Sequence, residues 1–378
     1  MGGSGERRFL IVAGEASGDA HAARLLTALQ QLGPCHARGV TGPALVTAGA
    51  VRVVPMEDLA VLGFSGVIAR LPRIWSAYRR LLAETRAFRP HAAVLVDSPG
   101  FNFRLGPALR RLGVPVFYYI APQVWAWHAE RAAQMARWVE RLAVIFPFEE
   151  ALFREAGVNA RFVGHPLLEG LDPEVDAAAF RAELGVAPGE SVLGLLPGSR
   201  PQELRAHAPV MAAAARRLRA SRPGLAVALA LAPGLEREAH RLGTALDGAR
   251  LVAGRTRAVQ AHATCCAVAS GTASLETALY GTPEVIVYRT GWFNYEIARR
   301  LVTLAHIGLP NIVAGEEVAP ELLQQDLTGE RLAATLAPWL DDPDARERQR
   351  VRLTMVRARL GGPGAARRAA EWLWEMVA

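Results

Sequence analysis

The chain has 378 residues, of which 51% are hydrophobic, and its formal net charge is +7. A chain of this length is longer than one hydrophobic core usually holds, so we expect two domains of roughly 150–200 residues each. The composition excludes a disordered protein. No apolar run reaches the ~18–20 residues of a membrane-spanning helix. The N-terminus lacks the small-residue cleavage site of a signal peptide, which predicts a cytosolic protein.

All 43 basic residues are arginine, because the sequence contains no lysine. This excludes a Schiff-base lysine and a Walker A lysine, and with them pyridoxal phosphate and P-loop chemistry. Phosphate must then be held by arginine, backbone N–H groups and helix N-termini. A basic excess suits nucleic acid, an anionic membrane or a phosphorylated substrate, and a preference for arginine codons explains it equally well. We find no nucleic-acid-binding module and expect no nucleic-acid partner.

The sequence predicts no metal site. Its three cysteines lack metal-ligand spacing, and Cys265 and Cys266 lie in the apolar run "TCCAVAS", which is typical of buried small residues. The D-x-D sequence at 342–344 lies in a predicted junction between helices, so we expect no metal function there.

Apolar runs alternate with amphipathic, helix-like segments in the first half of the chain. The strand-like runs lie at 7–14, 92–97, 114–120 and 141–146. Strands that are apolar on both faces and separated by helices are typical of a parallel sheet covered by helices. The first half is therefore predicted to be a doubly wound α/β domain.

The alternation starts again after an irregular stretch at 163–176. The predicted fold class is α/β, with two doubly wound Rossmann-like domains facing a cleft. We place the domains at 1–168 and 169–344, and we expect helices in 345–378 to pack back on the first domain. Neither half contains the G-x-G-x-x-G fingerprint, which argues against an NAD enzyme.

The apolar run at 92–97 ends on Asp97, directly before a Ser-Pro-Gly turn and a helical segment. Ligands of open α/β sheets bind at the carboxyl ends of the strands, so this carboxylate is expected in the cleft. There it can accept the proton of an attacking hydroxyl group as a general base. Capping of the following helix is the competing structural role.

Two strand ends of the second half predict a nucleotide site. Ser199 and Arg200 follow a tight turn in "LLPGSR", where the guanidinium suits phosphate oxygens. Gly271 and Thr272 open a helix whose free N–H groups can receive a diphosphate, and Glu276 can bind ribose hydroxyls. Each residue also has a structural explanation when it is taken singly. Arg200 can be an ordinary surface arginine, Thr272 can cap its helix, and Glu276 can be a favourable negative charge near the helix N-terminus.

Segments in both halves resemble the lipid-A-disaccharide synthases, a glycosyltransferase family of GT-B architecture. The resemblance extends over nearly the whole chain, and "GEASGD", "VWAW" and "LPN" are its most specific motifs. The matching segments are "AGEASGD" (13–19), "VDSPGFN" (96–102), "APQVWAW" (121–127), "FPFE" (146–149), "FVGHP" (162–166), "LLPGSR" (195–200), "SGTASLE" (270–276) and "LPNIVAGEEVAPELLQ" (309–324).

The resemblance implies that UDP-2,3-diacylglucosamine is the donor and 2,3-diacylglucosamine 1-phosphate the acceptor. The product would be a β(1→6)-linked disaccharide phosphate, formed with UDP by an inverting transfer that needs no cofactor. The resemblance also implies a Gram-negative source, because lipid A belongs to those bacteria. It implies a peripheral enzyme on the cytoplasmic face of the inner membrane, and it allows a homodimer.

The resemblance also assigns roles to residues. By this analogy Asp97 matches the general base, Arg200 and Glu276 match donor-site residues, and Glu15, Ser17 and Asn311 match further polar active-site positions. Local sequence alone makes helix capping an equal explanation for Ser17. Many family members carry an acidic residue where this chain has Gly100, so a second carboxylate at that position cannot be essential here.

The stretch 56–82 is apolar and arginine-rich, which suits insertion into the surface of an anionic bilayer. An amphipathic helix packed on the sheet is the structural alternative, and the acylated substrates of the family favour membrane contact. The predicted contact residues are Leu62, Phe64, Val67, Ile68, Arg70 and Arg73.

Two alternatives share the "SGTASLE" donor site. One is another GT-B-like UDP-sugar enzyme, either an epimerase or an N-acetylglucosaminyltransferase, which would not need the 56–82 segment. The other is a nucleotide-sugar-binding protein without catalysis, against which the strand-end carboxylate of Asp97 argues.

Overall fold

The computed structural model describes residues 6–59, 65–122, 130–173, 175–187, 189–246, 248–290 and 305–378, with the backbone alone for 65–70. The chain divides into two compact units. Unit 1 comprises Met1–Glu169 together with Gly362–Ala378, and unit 2 comprises Gly170–Gly361.

Unit 1 alternates strands with helices along the chain. Its strands are β1 (Arg7–Ala13), β2 (Cys35–Thr41), β3 (Val51–Pro55), β4 (Ala92–Val96), β5 (Val116–Tyr119), β6 (Arg141–Val144) and β7 (Ala160–Phe162). The described helices that connect them are α1 (Ala16–Leu32), α2 (Pro43–Thr47), α3 (Ser65–Phe88), α4 (Pro99–Arg111), α5 (Glu130–Met135) and α6 (Pro147–Glu155).

The seven strands form one parallel sheet in the order β3-β2-β1-β4-β5-β6-β7. The chain order reverses between β1 and β4, so the loops after these two strands meet at a topological switch point, where ligands of such sheets bind. Both faces of the sheet are covered. Leu10 and Val12 of β1 pack on the side of α3 and α4, while Phe9 and Ile11 pack on the side of α1.

Unit 2 repeats the plan with six parallel strands in the order β10-β9-β8-β11-β12-β13. These are β8 (Val192–Leu196), β9 (Ala226–Leu231), β10 (Arg250–Ala253), β11 (Cys265–Ala269), β12 (Glu284–Tyr288) and β13 (Glu321–Leu323). The described helices are α7 (Ala177–Glu183), α8 (Pro201–Ser221), α9 (Glu236–Leu242), α10 (Thr256–His262), α11 (Thr272–Tyr280), α12 (Leu309–Ala314), α13 (Gly329–Asp341) and α14 (Pro343–Arg359).

The core of unit 2 again lies on both faces of its sheet. Leu193 and Leu195 pack with α8 and α13, whereas Val268 packs with α7 and α10 on the other face. Cys265 and Cys266 are fully buried in β11, and burial raises the pKa of Cys265 to about 12, so they behave as the small apolar residues that the sequence predicts.

The C-terminal helix α15 (Ala365–Met376) belongs to unit 1. Trp372 is buried against Phe117 of the sheet, and Arg368 donates a hydrogen bond to the carbonyl of Val163 (2.8 Å). The preceding helix α14 differs from the prediction for 345–378, because it packs in unit 2. Its Gln349 side chain, 6% exposed, donates hydrogen bonds to the carbonyls of Glu284 and Val318.

None of the helices within the described ranges combines the length and the apolarity that crossing a bilayer requires.

Candidate active site

Asp97 follows β4 at the switch point of unit 1. Both Asp97 (φ 44°) and Ser98 (φ 43°) adopt left-handed backbone conformations, which strain residues other than glycine. Hydrogen bonds hold this turn in place: the Asp97 amide donates to the carbonyl of Tyr119 (3.2 Å), and the Asp97 carbonyl accepts from Asn102 (2.6 Å) and from the Tyr118 hydroxyl. The turn fixes the direction in which the carboxylate leaves the sheet.

The Asp97 carboxylate has the electrostatics of a proton acceptor. Burial, followed by the negative charge of Glu15, raises the pKa of Asp97 to about 6, against the opposing effect of the Ser98 N–H. A carboxylate with this pKa is ionised at pH 7 and accepts a proton more readily than an ordinary aspartate. Ser98 occupies the N-cap of α4 and no side chain caps it, so the capping role that competes for Asp97 is not observed.

A cavity of about 780 Å³ opens beside this turn, within unit 1. Trp75 stacks on Tyr78 with ring centroids 5.4 Å apart, and Tyr78 meets Phe101 edge-on at 6.5 Å, which gives the cavity an aromatic wall. The described lining residues are Gly14, Glu15, Leu59, Leu71, Ile74, Trp75, Tyr78, Ser98, Pro99, Gly100, Phe101 and Arg104. The cavity is therefore polar near Asp97 and apolar along α3.

Glu15 and Ser17 are exposed at the start of α1, and Glu15 lines the cavity. Asp19, in the same loop motif, is 2% exposed, and its carboxylate accepts hydrogen bonds from the amides of Gly42 and Ala44. The structure thus separates this motif into Glu15, which lines the cavity, Ser17, which is exposed but is not among the lining residues, and the buried Asp19, which anchors α2.

All five residues that the sequence predicts for the nucleotide site line one cavity of about 700 Å³ in unit 2. They are Ser199, Arg200, Gly271, Thr272 and Glu276. The cavity lies at the carboxyl ends of β8 and β11, where the sequence places it.

The β8–α8 turn presents a guanidinium on a fixed backbone. The Glu203 carboxylate accepts hydrogen bonds from the amides of Ser199 (2.9 Å) and Arg200 (3.2 Å). The Arg200 guanidinium also contacts Glu203 at 3.4 Å, but its side chain is 76% exposed. Such an exposed ion pair is weak, so the guanidinium is free to exchange it for an anionic ligand.

The β11–α11 turn presents the amino end of a helix. Gly271 (φ 143°) forms the N-cap of α11, and the Ser274 hydroxyl donates to the Gly271 carbonyl (2.8 Å). Glu276 faces the cavity one turn later and accepts a hydrogen bond from Gln260 (3.3 Å). Burial raises the pKa of Glu276, while Gln260 and the charge of Arg257 oppose this rise.

Thr256 and Arg257, which were not predicted from the sequence, line the same cavity from the start of α10. The available signal was the segment "VAGRTRAV", because a strand end followed by glycine and a helix is the pattern that located the other loops. Arg257 adds a second guanidinium to the site.

Asn311, which is predicted as a polar active-site residue, lines neither of the two cavities described above. It is fully buried in α12, where its amide nitrogen donates to the carbonyl of Ala319 (2.7 Å) and to Glu321 (2.8 Å). Its oxygen accepts from the amides of Val318 and Ala319. All of its hydrogen-bonding groups are used inside unit 2, so Asn311 holds the chain segment in position.

Most of the predicted membrane residues lie outside the described part of the structure. Leu62 and Phe64 are not described, and neither are the side chains of Val67, Ile68 and Arg70.

The next part of α3 is described. Arg73 is exposed there beside two large apolar side chains, Leu71 (45% exposed) and Trp75 (61%). Apolar and cationic groups thus share one exposed stretch of this helix.

A family model described as lipid-A-disaccharide synthetase matches residues 9–371. The chain belongs to the lipid-A-disaccharide synthase family. Its relatives of that name include proteins of Anaeromyxobacter sp. (strain K), 46% identical over 96% of both chains, and of Myxococcus xanthus, 42% identical over 98% of this chain and 97% of the relative. A third, from Geobacter metallireducens, is 40% identical over 100% and 99%. As a lipid-A-disaccharide synthase family member, the chain is a glycosyltransferase of lipid A biosynthesis.

Solved structures share the fold of this synthase family member. UDP-GlcNAc 2-epimerase from Neisseria meningitidis, bound to UDP-GlcNAc, superimposes with a TM-score of 0.68 at 10% identity, covering 97% of this chain and 100% of the epimerase. The calicheamicin glycosyltransferase CalG4 gives 0.59 at 18% identity, covering 98% of both. At these identities the likeness shows the fold alone, and it confirms the predicted pair of Rossmann-like domains of GT-B architecture.

Proposed function

We propose that the enzyme transfers the sugar of UDP-2,3-diacylglucosamine to the primary hydroxyl of 2,3-diacylglucosamine 1-phosphate. The products are a β(1→6)-linked disaccharide phosphate and UDP. The observation that carries this proposal is the cavity of unit 2, in which two arginines, a helix N-terminus and the half-buried carboxylate of Glu276 surround one space.

The donor binds in the cavity of unit 2. Its diphosphate lies against Arg200 and the free N–H groups at Gly271 and Thr272, while Glu276 accepts hydrogen bonds from the ribose. Negative charge grows on the diphosphate as the glycosidic bond breaks. One well-placed donor to such a leaving group contributes ~3–4 kcal/mol, or two to three orders of magnitude in rate.

Asp97 acts on the acceptor as the general base, beside the cavity of unit 1 that Ser98 lines. The acceptor oxygen attacks the anomeric carbon while its proton passes to the Asp97 carboxylate and the bond to the diphosphate breaks. A single displacement of this kind inverts the anomeric centre. The pKa of about 6 supports the assignment, because the group is ionised at neutral pH and still basic enough to take the proton.

The enzyme meets its lipid substrates at the inner face of the inner membrane, through the segment 56–82. Arg73 supplies attraction to anionic lipid, and Leu71 and Trp75 are exposed for insertion. The predicted contacts of Leu62, Phe64, Val67, Ile68 and Arg70 extend the same segment toward its N-terminal end.

The test is incubation of the purified enzyme with both acylated sugars in neutral detergent, followed by mass spectrometry. The proposal expects one disaccharide phosphate and one UDP for each donor consumed. Epimerised donor, or binding of UDP with no turnover of either lipid, would contradict it. Omission of the acceptor is the control, since it separates transfer from hydrolysis of the donor.

A further inference from the structure

The cavity of unit 1 contains one cation that no residue neutralises within the described ranges. Arg104 lines the cavity from α4 and makes no ion pair or side-chain hydrogen bond with any described residue. Arg110 of the same helix, by contrast, pairs with Glu140 at 3.0 Å. A guanidinium that lines a cavity without an ion-pair partner can be neutralised by an anionic ligand.

The wall beside Arg104 indicates what else this ligand carries. Trp75, Tyr78 and Phe101 form a continuous aromatic contact, and Leu71 and Ile74 extend it along α3. Apolar and aromatic surface favours hydrocarbon chains, while the guanidinium favours an anion. A ligand that suits this cavity is therefore an amphiphile with an acidic group.

The spacing along α4 locates the anion relative to the general base. Arg104 lies five residues after Pro99, or about 7–8 Å along the helix axis, whereas Asp97 lies in the turn that precedes the helix. Glu15, the acidic member of the described lining, is also at the Asp97 end. A sugar whose hydroxyl group lies at Asp97 can therefore direct the group on its opposite side toward Arg104.

We propose that Arg104 binds the anomeric phosphate of the acceptor and makes the enzyme specific for the phosphorylated sugar. This inference rests on the proposed function, from which it takes the acceptor. A guanidinium binds a phosphomonoester with two parallel charge-assisted hydrogen bonds, a geometry that lysine does not reproduce. Because lipid headgroups also carry phosphate, the assay must distinguish binding of the acceptor phosphate from binding of a membrane lipid headgroup.

The experiment compares Arg104→Met and Arg104→Lys with Arg110→Met, which removes the same charge from α4 outside the cavity. KM and kcat are measured in neutral detergent micelles with the acceptor and with its dephosphorylated form. We expect Arg104→Met to raise KM for the phosphorylated acceptor about tenfold or more with kcat within threefold. KM for the dephosphorylated acceptor should not change, Arg104→Lys should be intermediate, and Arg110→Met should match the wild type.

Equal losses with both acceptors, or no loss with either, would overturn the inference. So would a loss that appears only on vesicles containing anionic lipid, because the guanidinium would then meet a headgroup. Binding of the phosphorylated acceptor to the wild type and to Arg104→Met, followed by tryptophan fluorescence in the same micelles, gives a readout independent of turnover. A wild type that binds this lipid through Arg104 but forms no disaccharide would contradict the proposed function and retain the inference.

Discussion

A single backbone turn fixes the position of the Asp97 side chain, the proposed general base. The left-handed turn at Asp97 and Ser98 is held by Tyr119 and Asn102, so the strained backbone is compensated by neighbours in the same unit. Its carboxylate lies close enough to Glu15 for the two negative charges to interact. The turn therefore sets the position of the Asp97 carboxylate, whereas burial and Glu15 set its basicity. Separate mutations can test the two effects.

Asp97→Asn keeps the shape of the side chain and removes the proton acceptor. We expect turnover to fall by about 10²–10⁴-fold, the usual contribution of a general base. Circular dichroism and the melting temperature should stay at wild-type values or rise slightly, because a partly buried charge is removed. Activity within tenfold of the wild type would remove the base assignment.

Glu15→Gln tests the electrostatic coupling. Since the charge of Glu15 raises the pKa of Asp97, its removal should lower that pKa and move the acidic limb of the pH profile of kcat/KM toward lower pH. We expect this limb near pH 6 in the wild type, with activity falling below it as Asp97 takes up a proton. Glu155→Gln, an exposed change in α6, is the matched control, and an unshifted limb in Glu15→Gln would contradict the coupling.

Arg200→Met should reduce kcat by about 10²–10³-fold, because the guanidinium is proposed to stabilise the departing diphosphate. The free energy of unfolding should change by less than about 0.5 kcal/mol, since the side chain is exposed and its pairing with Glu203 is a surface ion pair. Arg205→Met, in the helix α8 that follows Arg200, removes an arginine that pairs with Glu238 and should remain active. Equal activities of the two variants would argue against the donor-site role.

At the scale of elements, helix α3 lines the cavity of unit 1 and also exposes apolar side chains. The double change Leu71→Ser and Trp75→Ser should reduce sedimentation with anionic liposomes severalfold, because both side chains are exposed beside Arg73. The control is Val351→Ser with Met355→Ser, which removes exposed apolar groups from α14 of unit 2. Undiminished liposome binding of the α3 variant would contradict the membrane contact.

Central strands such as β1 and β4 could be predicted from the sequence because they are continuous apolar runs, but β2 and the edge strand β3 could not. β2 contains the polar sequence "CHARGVT", and β3 lies at the sheet edge with Val51 54% exposed. Pairing of β2 with β1 also depends on Gly39, where a side-chain carbon would overlap the Ile11 carbonyl. Neighbouring strands, rather than local composition, specify these elements.

Site residues at strand ends could be predicted because parallel strands deliver their loops to one edge. Asn311 could not be placed correctly, because nothing in "LPNIV" distinguishes an amide facing a ligand from one used by buried backbone groups. Arg104 was missed for another reason: it lies inside a helix, and its importance comes from the absence of a partner within the described residues.

At the scale of the whole molecule, one buried carboxyl group should make stability depend on pH. Glu284 is fully buried at the start of β12, neither carboxyl oxygen has a hydrogen-bond partner among the described residues, and burial raises its pKa well above the ordinary value. Its neutral form is compatible with the core, so its stabilising contribution is present below the unfolded-state pKa and is lost as pH rises through the folded-state pKa.

Glu284→Met should therefore raise the melting temperature of the enzyme more at pH 9 than at pH 5, because it removes the need to keep a buried proton. The measurement is thermal unfolding at a series of pH values, with Glu155→Gln as the control for an exposed carboxylate. A constant difference between variant and wild type across this range would contradict the buried neutral state.

The position of α15 has a consequence for synthesis on the ribosome. Trp372 fills a face of the first sheet, yet it is translated only after the whole of Gly170–Gly361. At about 5–20 residues per second, the nascent first domain waits on the order of ten seconds or more with Phe117 uncovered. Until the last helix is synthesised, this exposed apolar surface can bind chaperones at the ribosome or cause the nascent chain to aggregate.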